Sequence, residues 1–304
     1  MIVIYDRSAD DCDDTLKLLE DKYPNLYHTF IPDSARYISH KKLGITMGIK
    51  ASRHEWLVFT EPNCRPQSNQ WLKQMARNFT PATEIVLGYS NYEKVPGWLN
   101  KKITFDTLLN SMRYLGMALS GHPYMGTGRN LAYRKTLYYK QKGFASHLNL
   151  QRGEDDLFIN ETAHAHNTRV ETGSDSLMRI AMPKYKKIWC EEKISYAATS
   201  RLFKGTARYI MGFETCSRLL FYAAIIATII TGILLHQWTT LGIAILLWAA
   251  RFVMQLIVFR KTAQAFGERK FCALLPVFDF LQPIWNGVFK LQRKLRRKNE
   301  FMRK

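Results

Sequence analysis

Short apolar runs alternate with stretches of helical spacing through the first part of the chain. Ile2–Tyr5 is an apolar run that ends at Asp6, and Leu16, Leu18 and Leu19 space a helix over 11–22. Residues 26–31 read as a strand, and Leu43, Met47 and Ile49 put one apolar face on a helix over 41–51. Trp56–Phe59 reads as a buried strand, 68–78 as a helix and 84–87 as a further strand before Gly88. Strands that alternate with helices predict βαβ units, hence an α/β domain with a mostly parallel sheet. Ligands on such sheets sit beyond the carboxyl ends of the strands. Asp6 and the turn over 60–64 are therefore expected to face one crevice.

The pattern changes after Arg218. No charged residue occurs from Leu219 to Leu235, and a second apolar run extends from Leu241 to Phe259. Each approaches the ~20 residues that a helix needs to cross the hydrocarbon core. Both are apolar on every face, which favours a transmembrane hairpin over a buried hairpin of a soluble protein. Arg251 opposes insertion by about 2.5–3.5 kcal/mol, which the neighbouring aliphatic residues offset at about half a kcal/mol each. Its side chain is expected to face the other helix or to snorkel. A third apolar stretch, Phe271–Phe289, contains Pro276, Asp279, Pro283 and Gly287 and reads as an interfacial or re-entrant amphipathic helix.

Net charge is +19. Much of it gathers at the C-terminus, where Lys290, Arg293, Lys294, Arg296, Arg297, Lys298, Arg303 and Lys304 face only Glu300. Beside apolar segments, such a tail reads as an anchor on an anionic leaflet. No nucleic-acid-binding motif accompanies the charge. Lys and Arg flank both outer ends of the hairpin and are absent from its turn, so the main domain and the tail are expected on the cytoplasmic side. The five cysteines are scattered without metal spacing, which fits a reducing compartment. His164 and His166 are two apart, the wrong spacing for paired helical ligands. Met1 runs directly into a strand pattern, with no signal peptide ahead of it.

Four patterns carry candidate chemistry. Tyr5-Asp6-Arg7-Ser8-Ala9-Asp10 closes the first strand, where acids also serve as helix caps. His40-Lys41-Lys42-Leu43-Gly44-Ile45 leads through the Trp56 strand to Thr60-Glu61-Pro62-Asn63-Cys64-Arg65-Pro66. The solvated-surface reading suits each of Lys41, Lys42 and Arg65, beside a share in neutralising phosphate. Met125-Gly126-Thr127-Gly128-Arg129-Asn130-Leu131 is a glycine segment, suited to close backbone approach by a ligand or to a plain turn before a strand. Arg152-Gly153-Glu154-Asp155-Asp156-Leu157 crowds three acids at a helix start. The helix dipole favours acids there, and their crowding raises one another's pKa, which suits a base.

In this order the four patterns resemble family 2 glycosyltransferases over nearly the whole chain. The resemblance implies a GT-A, Rossmann-like catalytic domain over 1–200, an interface linker over 201–217, a transmembrane hairpin over 218–260, and an interfacial helix with basic tail over 271–304. It implies a nucleotide-sugar donor, a UDP-sugar, and a cell-envelope glycan or glycolipid acceptor. The setting is the cytoplasmic face of an inner membrane, with membrane lipids as further partners. By resemblance Asp155 is the general base, and Asp6, Lys42, Glu61, Asn63, Gly128, Asn130 and Glu154 bind the nucleotide-sugar. Glu61 and Asn63 stand where the family has Asp-x-Asp, so an Mg²⁺ or Mn²⁺ cofactor would meet a weakened site. The Gln-x-x-Arg-Trp element is absent from 189–208, which lowers the odds of a processive polymerase; Arg201 and Lys204 are the nearest candidates for diphosphate contact, and ordinary interface anchoring suits them better. Family members also carry a first βα unit ending in Pro-x-x-Asn that has no counterpart here, so an incomplete reading frame is expected. The alternative is an inactive membrane scaffold of the same ancestry.

Overall fold

The computed structural model describes residues 1–6, 12–32 and 38–296. Residues 7–10 of the first pattern, and the basic tail beyond Arg296, lie outside the described residues. β1 (Ile2–Asp6), α1 (Cys12–Lys22), β2 (Tyr27–Ile31) and α2 (His40–Ala51) come first. β1 and β2 pair in parallel, with Ile2 opposite Tyr27 and Asp6 opposite Ile31. α2 covers this pair: a Cβ at Gly44 would stand in van der Waals contact with Ile4 and Ile31. Ser39 caps α2 by accepting a hydrogen bond from the Lys42 amide at 3.2 Å.

β3 (Trp56–Phe59), β4 (Cys64–Pro66), α3 (Trp71–Ala76), β5 (Ile85–Gly88), β6 (Ser90–Tyr92), α4 (Trp98–Leu119) and β7 (Leu131–Arg134) follow. After these come α5 (Lys135–Lys140), α6 (Asp156–Thr162), β8 (Thr168–Glu171), β9 (Met178–Ile180) and α7 (Lys186–Thr199). The central sheet has the order β3-β7-β5-β8. β7 runs antiparallel to both β3 and β5, and β8 parallel to β5. The sheet is thus mixed rather than mostly parallel. Leu-Ala-Tyr-Arg reads as a strand but carries no sign of its direction; α4 and the glycine segment decide that by returning the chain between β3 and β5. A second small sheet, β4-β9-β6, also escapes the hydrophobic pattern, because its strands are three residues each.

The core lies between the central sheet and α4, where Ile85, Leu87, Phe105, Leu108, Leu131 and Phe158 are buried. Asn130 locks this region next to the site. Its amide donates to the carbonyls of Tyr89 and Ser176, each at 2.8 Å, and its Oδ1 accepts from the Trp71 indole at 2.9 Å. A methyl group at Gly88 would overlap that fully held amide. Gly88→Ala is therefore expected to destabilise the fold by about 1–3 kcal/mol in denaturant titration, the range for overpacking a core. A loss below about 0.5 kcal/mol would mean that Asn130 yields easily.

α8 (Ala207–Leu234), α9 (Trp238–Ala265) and α10 (Leu275–Leu295) complete the chain. α8 and α9 are long and apolar enough to cross a membrane, by length and composition. Few of their side chains are buried, and Leu220, Ile230, Leu246 and Met254 are among those left bare. α8 begins inside the stretch read as a linker, since nothing over 207–217 breaks a helix. α10 is amphipathic, with Leu275, Phe278, Asp279, Gln282 and Phe289 on its buried face. Its Phe289 ring meets Trp189 of α7 edge-on at 5.5 Å.

Arg251 does not snorkel. Its guanidinium lies 4.7 Å over the Phe221 ring of α8 and donates to Asp279 Oδ2 of α10 at 3.1 Å. Asp279 also accepts from Arg218 at 3.2 Å, Tyr222 at 2.7 Å and Gln255 at 3.0 Å. Gln282 extends this network to Asp106 of α4 at 3.3 Å, and Asp106 pairs with Lys193 of α7 at 2.6 Å.

Candidate active site

Gly153 turns the chain into the acidic cluster. Its φ of 107° is strained for any other residue, and a side chain there would run into Leu157. Asp155 then caps α6, its Oδ1 accepting from the Asp156 amide at 2.8 Å. Its Oδ2 accepts from the Gly128 amide at 2.9 Å and from the Tyr196 hydroxyl at 3.4 Å. The glycine segment and the acidic cluster thus meet at one carboxylate. Asp156 faces away: it accepts from its neighbour Leu157 at 2.8 Å and from the Thr199 hydroxyl.

Lys41 joins this cluster to the loop after β3. Its ammonium lies 2.6 Å from Glu61 Oε1 and 2.8 Å from Glu154 Oε1. Arg129 approaches from the other side, at 3.0 Å from Glu61 Oε2 and 2.7 Å from Glu192 Oε1. Glu192 in turn accepts from Tyr92 at 3.0 Å. Asp6, at the end of β1, stands 2.8 Å from His40, the residue before Lys41. Lys42 points elsewhere, because consecutive helix residues diverge by about 100°. It is buried and donates to the carbonyls of His147 at 2.6 Å and Leu150 at 2.8 Å. Asn63 is exposed on the turn before β4, and Asn130 is engaged between strands as described. The structure therefore gathers Glu61, Gly128, Glu154 and Asp155 around Lys41 and Arg129, places Asp6 at the margin, and turns Lys42 and Asn130 to packing contacts.

Charge follows this geometry. Burial raises the Asp155 pKa, the Glu154 carboxylate raises it further, and Lys41 with the two backbone amides only partly offset them. Burial acts the same way on Glu61, yet Lys41 and Arg129 overcome it and hold that carboxyl at about 2. Glu154 is likewise lowered: burial opposes ionisation, and the Lys41 charge outweighs it. Burial pulls Lys42 down to about 8 against the pull of the acids. Burial, then the Asp155 charge, raises Asp156 still further. Asp155 and Asp156 are thus both reluctant to ionise beside two acids that cations keep charged, a separation that marks acid–base sites, and of the two only Asp155 meets the glycine segment.

The residues do not fit a divalent cation. Glu61 gives both oxygens to cations, and Asn63 offers one neutral amide oxygen from an exposed turn. Among the described residues no group of three or more His, Cys, Asp or Glu is placed to hold a metal. At the site, the Glu154 Oε2 oxygen is buried without a hydrogen-bond partner among the described residues.

Sequence reasoning missed Arg129, Glu192 and Tyr196 and undervalued Lys41, reading it as a solvated cation. Glu192, Tyr196 and Thr199 recur at helical spacing, so α7 turns one polar face toward Arg129, Asp155 and Asp156. That spacing was the available signal. His164 and His166 are exposed, as their spacing implies. Lys204 pairs with Glu161 at 3.2 Å.

No protein-family profile matches the chain, and no curated protein matches it. Among solved structures it is similar to the mannosyltransferase PcManGT from Pyrobaculum calidifontis in complex with GDP-Man and Mn²⁺. The TM-score is 0.51 at 14% identity, over 94% of this chain and 77% of that one. Lower TM-scores relate it to residues 1–349 of S. aureus TarS in complex with UDP-GlcNAc (0.39, 17% identity, 66% of this chain and 56% of that). The mannosyl-3-phosphoglycerate synthase from Rubrobacter xylanophilus scores 0.35 at 10% identity, over 68% of this chain and 74% of that one. The likeness to the mannosyltransferase shows the fold: a mixed α/β domain resembling GT-A folds, followed by two long apolar helices.

Proposed function

We propose that this chain is a glycosyltransferase of the hexosyltransferase type. It moves a sugar from a nucleotide-sugar, a UDP-sugar, to a cell-envelope acceptor, with Asp155 as general base. The reading rests above all on the Asp155 carboxyl group, buried at the meeting of the acidic cluster, the glycine segment and the cation-bound loop after β3. In an inverting transfer the acceptor hydroxyl oxygen bonds to the anomeric carbon while its proton passes to Asp155. The anomeric C–O bond to the nucleoside diphosphate breaks, and its electron pair leaves with the diphosphate. Lys41 and Arg129 are the cations at hand to meet that growing charge, a role in which fixed cations stabilise a leaving group. The exposed apolar surfaces of α8 and α9 support a multi-pass location in the inner membrane, with the catalytic domain cytoplasmic as the Lys and Arg distribution implies.

Binding of UDP by calorimetry tests the donor half. In excess EDTA the affinity is expected to lie within about threefold of that with Mn²⁺, because Lys41 and Arg129 occupy the place of a metal charge. Lys41→Met is expected to weaken UDP by about tenfold or more, and an affinity unaltered by that change would remove the cation from the donor site. The engaged Glu61 and the neutral Asn63 favour the second reading, an inactive membrane scaffold of the same ancestry. That reading expects no UDP binding under either condition.

A further inference from the structure

A cavity of about 560 Å³ lies between the glycine segment with the polar face of α7 and the first turns of α8. On the catalytic side it is lined by Thr127, Arg129, Glu192 and Tyr196, and Tyr196 is the residue that reaches Asp155. Its apolar wall includes Tyr124, Phe203, Met211 and Phe289. The α8 residues that line it, Ala207 to Thr215, end one turn before the uninterrupted apolar run that starts at Leu219.

The solvent-facing lining is cationic. Arg201, Arg208, Lys290 and Lys294 are exposed and Arg293 is half-buried. None of the five pairs with a carboxylate among the described residues. Arg293 feels burial and then the Arg201 charge, both of which lower its pKa. Unopposed cations held this close repel one another until an anion enters between them. Such a space asks for a ligand with a negative group at the mouth, an apolar body against the wall and a hydroxyl near Tyr196.

We propose that this cavity binds the acceptor, and that the acceptor is an anionic, hydroxyl-bearing amphiphile of the membrane. The assignment rests on the glycosyltransferase reading above. The apolar tail follows α8 into the bilayer, the anionic group sits among Arg201, Arg293 and Lys290, and the hydroxyl reaches Asp155 past Tyr196. Charge at the mouth and apolar surface below it bind one molecule cooperatively, which neither a free phosphate nor an uncharged lipid matches.

The full chain in non-ionic detergent tests this with three probes: dihexanoyl phosphatidylglycerol, dihexanoyl phosphatidylcholine and inorganic phosphate. Binding is read by tryptophan fluorescence, since Trp189 lines the cavity. Phosphatidylglycerol is expected to bind about tenfold or more tighter than either other probe. Combining Arg201→Ala with Arg293→Ala is expected to erase that preference and leave UDP affinity unchanged. Gly212→Leu fills the cavity from α8, where an added Cβ meets nothing within 4 Å, so the helix accepts it. It is expected to weaken phosphatidylglycerol by about tenfold, again with UDP unchanged. Equal binding of the two lipids, phosphate binding as tight as phosphatidylglycerol, or no effect of Gly212→Leu would each overturn the assignment while donor binding stands. Failure of the unaltered chain to bind UDP removes the acceptor role through the donor half instead.

Discussion

Asp155→Asn is expected to lower sugar transfer about a thousandfold, within the range that a positioned general base contributes. The amide is nearly isosteric and keeps an acceptor for one of the two backbone N–H groups that now bind the carboxylate. The other N–H loses its acceptor, a penalty on the order of 1 kcal/mol. That is too small to unfold the chain, and UDP binding serves as the check that the site survives. Transfer by the unaltered chain should also fall on the acid side at a pH above the ordinary carboxylate range. A base works only when deprotonated, and burial with the Glu154 charge raises the pKa of this one. Removing the Glu154 charge by Glu154→Gln moves that limb to lower pH, since the second cause of the rise is gone. A variant Asp155→Asn with undiminished turnover, or an acid limb that Glu154→Gln leaves in place, would rule out this carboxylate as the base.

The largest stability effect is expected at Asp279, well away from the chemistry. Asp279→Ala leaves Arg218 buried with Gln282 and Glu214 as its remaining partners, and takes from Arg251, Tyr222 and Gln255 their shared acceptor. Breaking a buried pair from one side costs about 3–5 kcal/mol, because the surviving charge stays out of water. The loss should appear in denaturant unfolding of the full chain in detergent. Asp279→Asn should fall between the two, retaining hydrogen bonds without charge. A loss under about 1 kcal/mol for the alanine variant would show that water reaches the network and that it does not hold the helices together.

The amino-acid sequence by itself determined the alternation of strands and helices, the hairpin and the amphipathic α10. These are local matters: a spacing of two or of three to four fixes which side of an element is apolar, whatever it later packs against. It also marked Glu61, Gly128, Glu154 and Asp155, because the short patterns that hold them resemble, in their order, those of family 2 glycosyltransferases. Only the tertiary structure decided the direction of β7 and the pairing of the three-residue strands, since both depend on where distant segments return. It alone separated Lys41 from Lys42. Adjacent in sequence and alike in chemistry, they differ by one step around α2, which sends one ammonium to Glu61 and Glu154 and the other to backbone carbonyls. In the same way Asp279, a blemish in an apolar stretch when read along the chain, becomes the acceptor for two arginines once α8, α9 and α10 converge. Charges that far apart in sequence choose partners through space, and one-dimensional spacing carries no record of that choice.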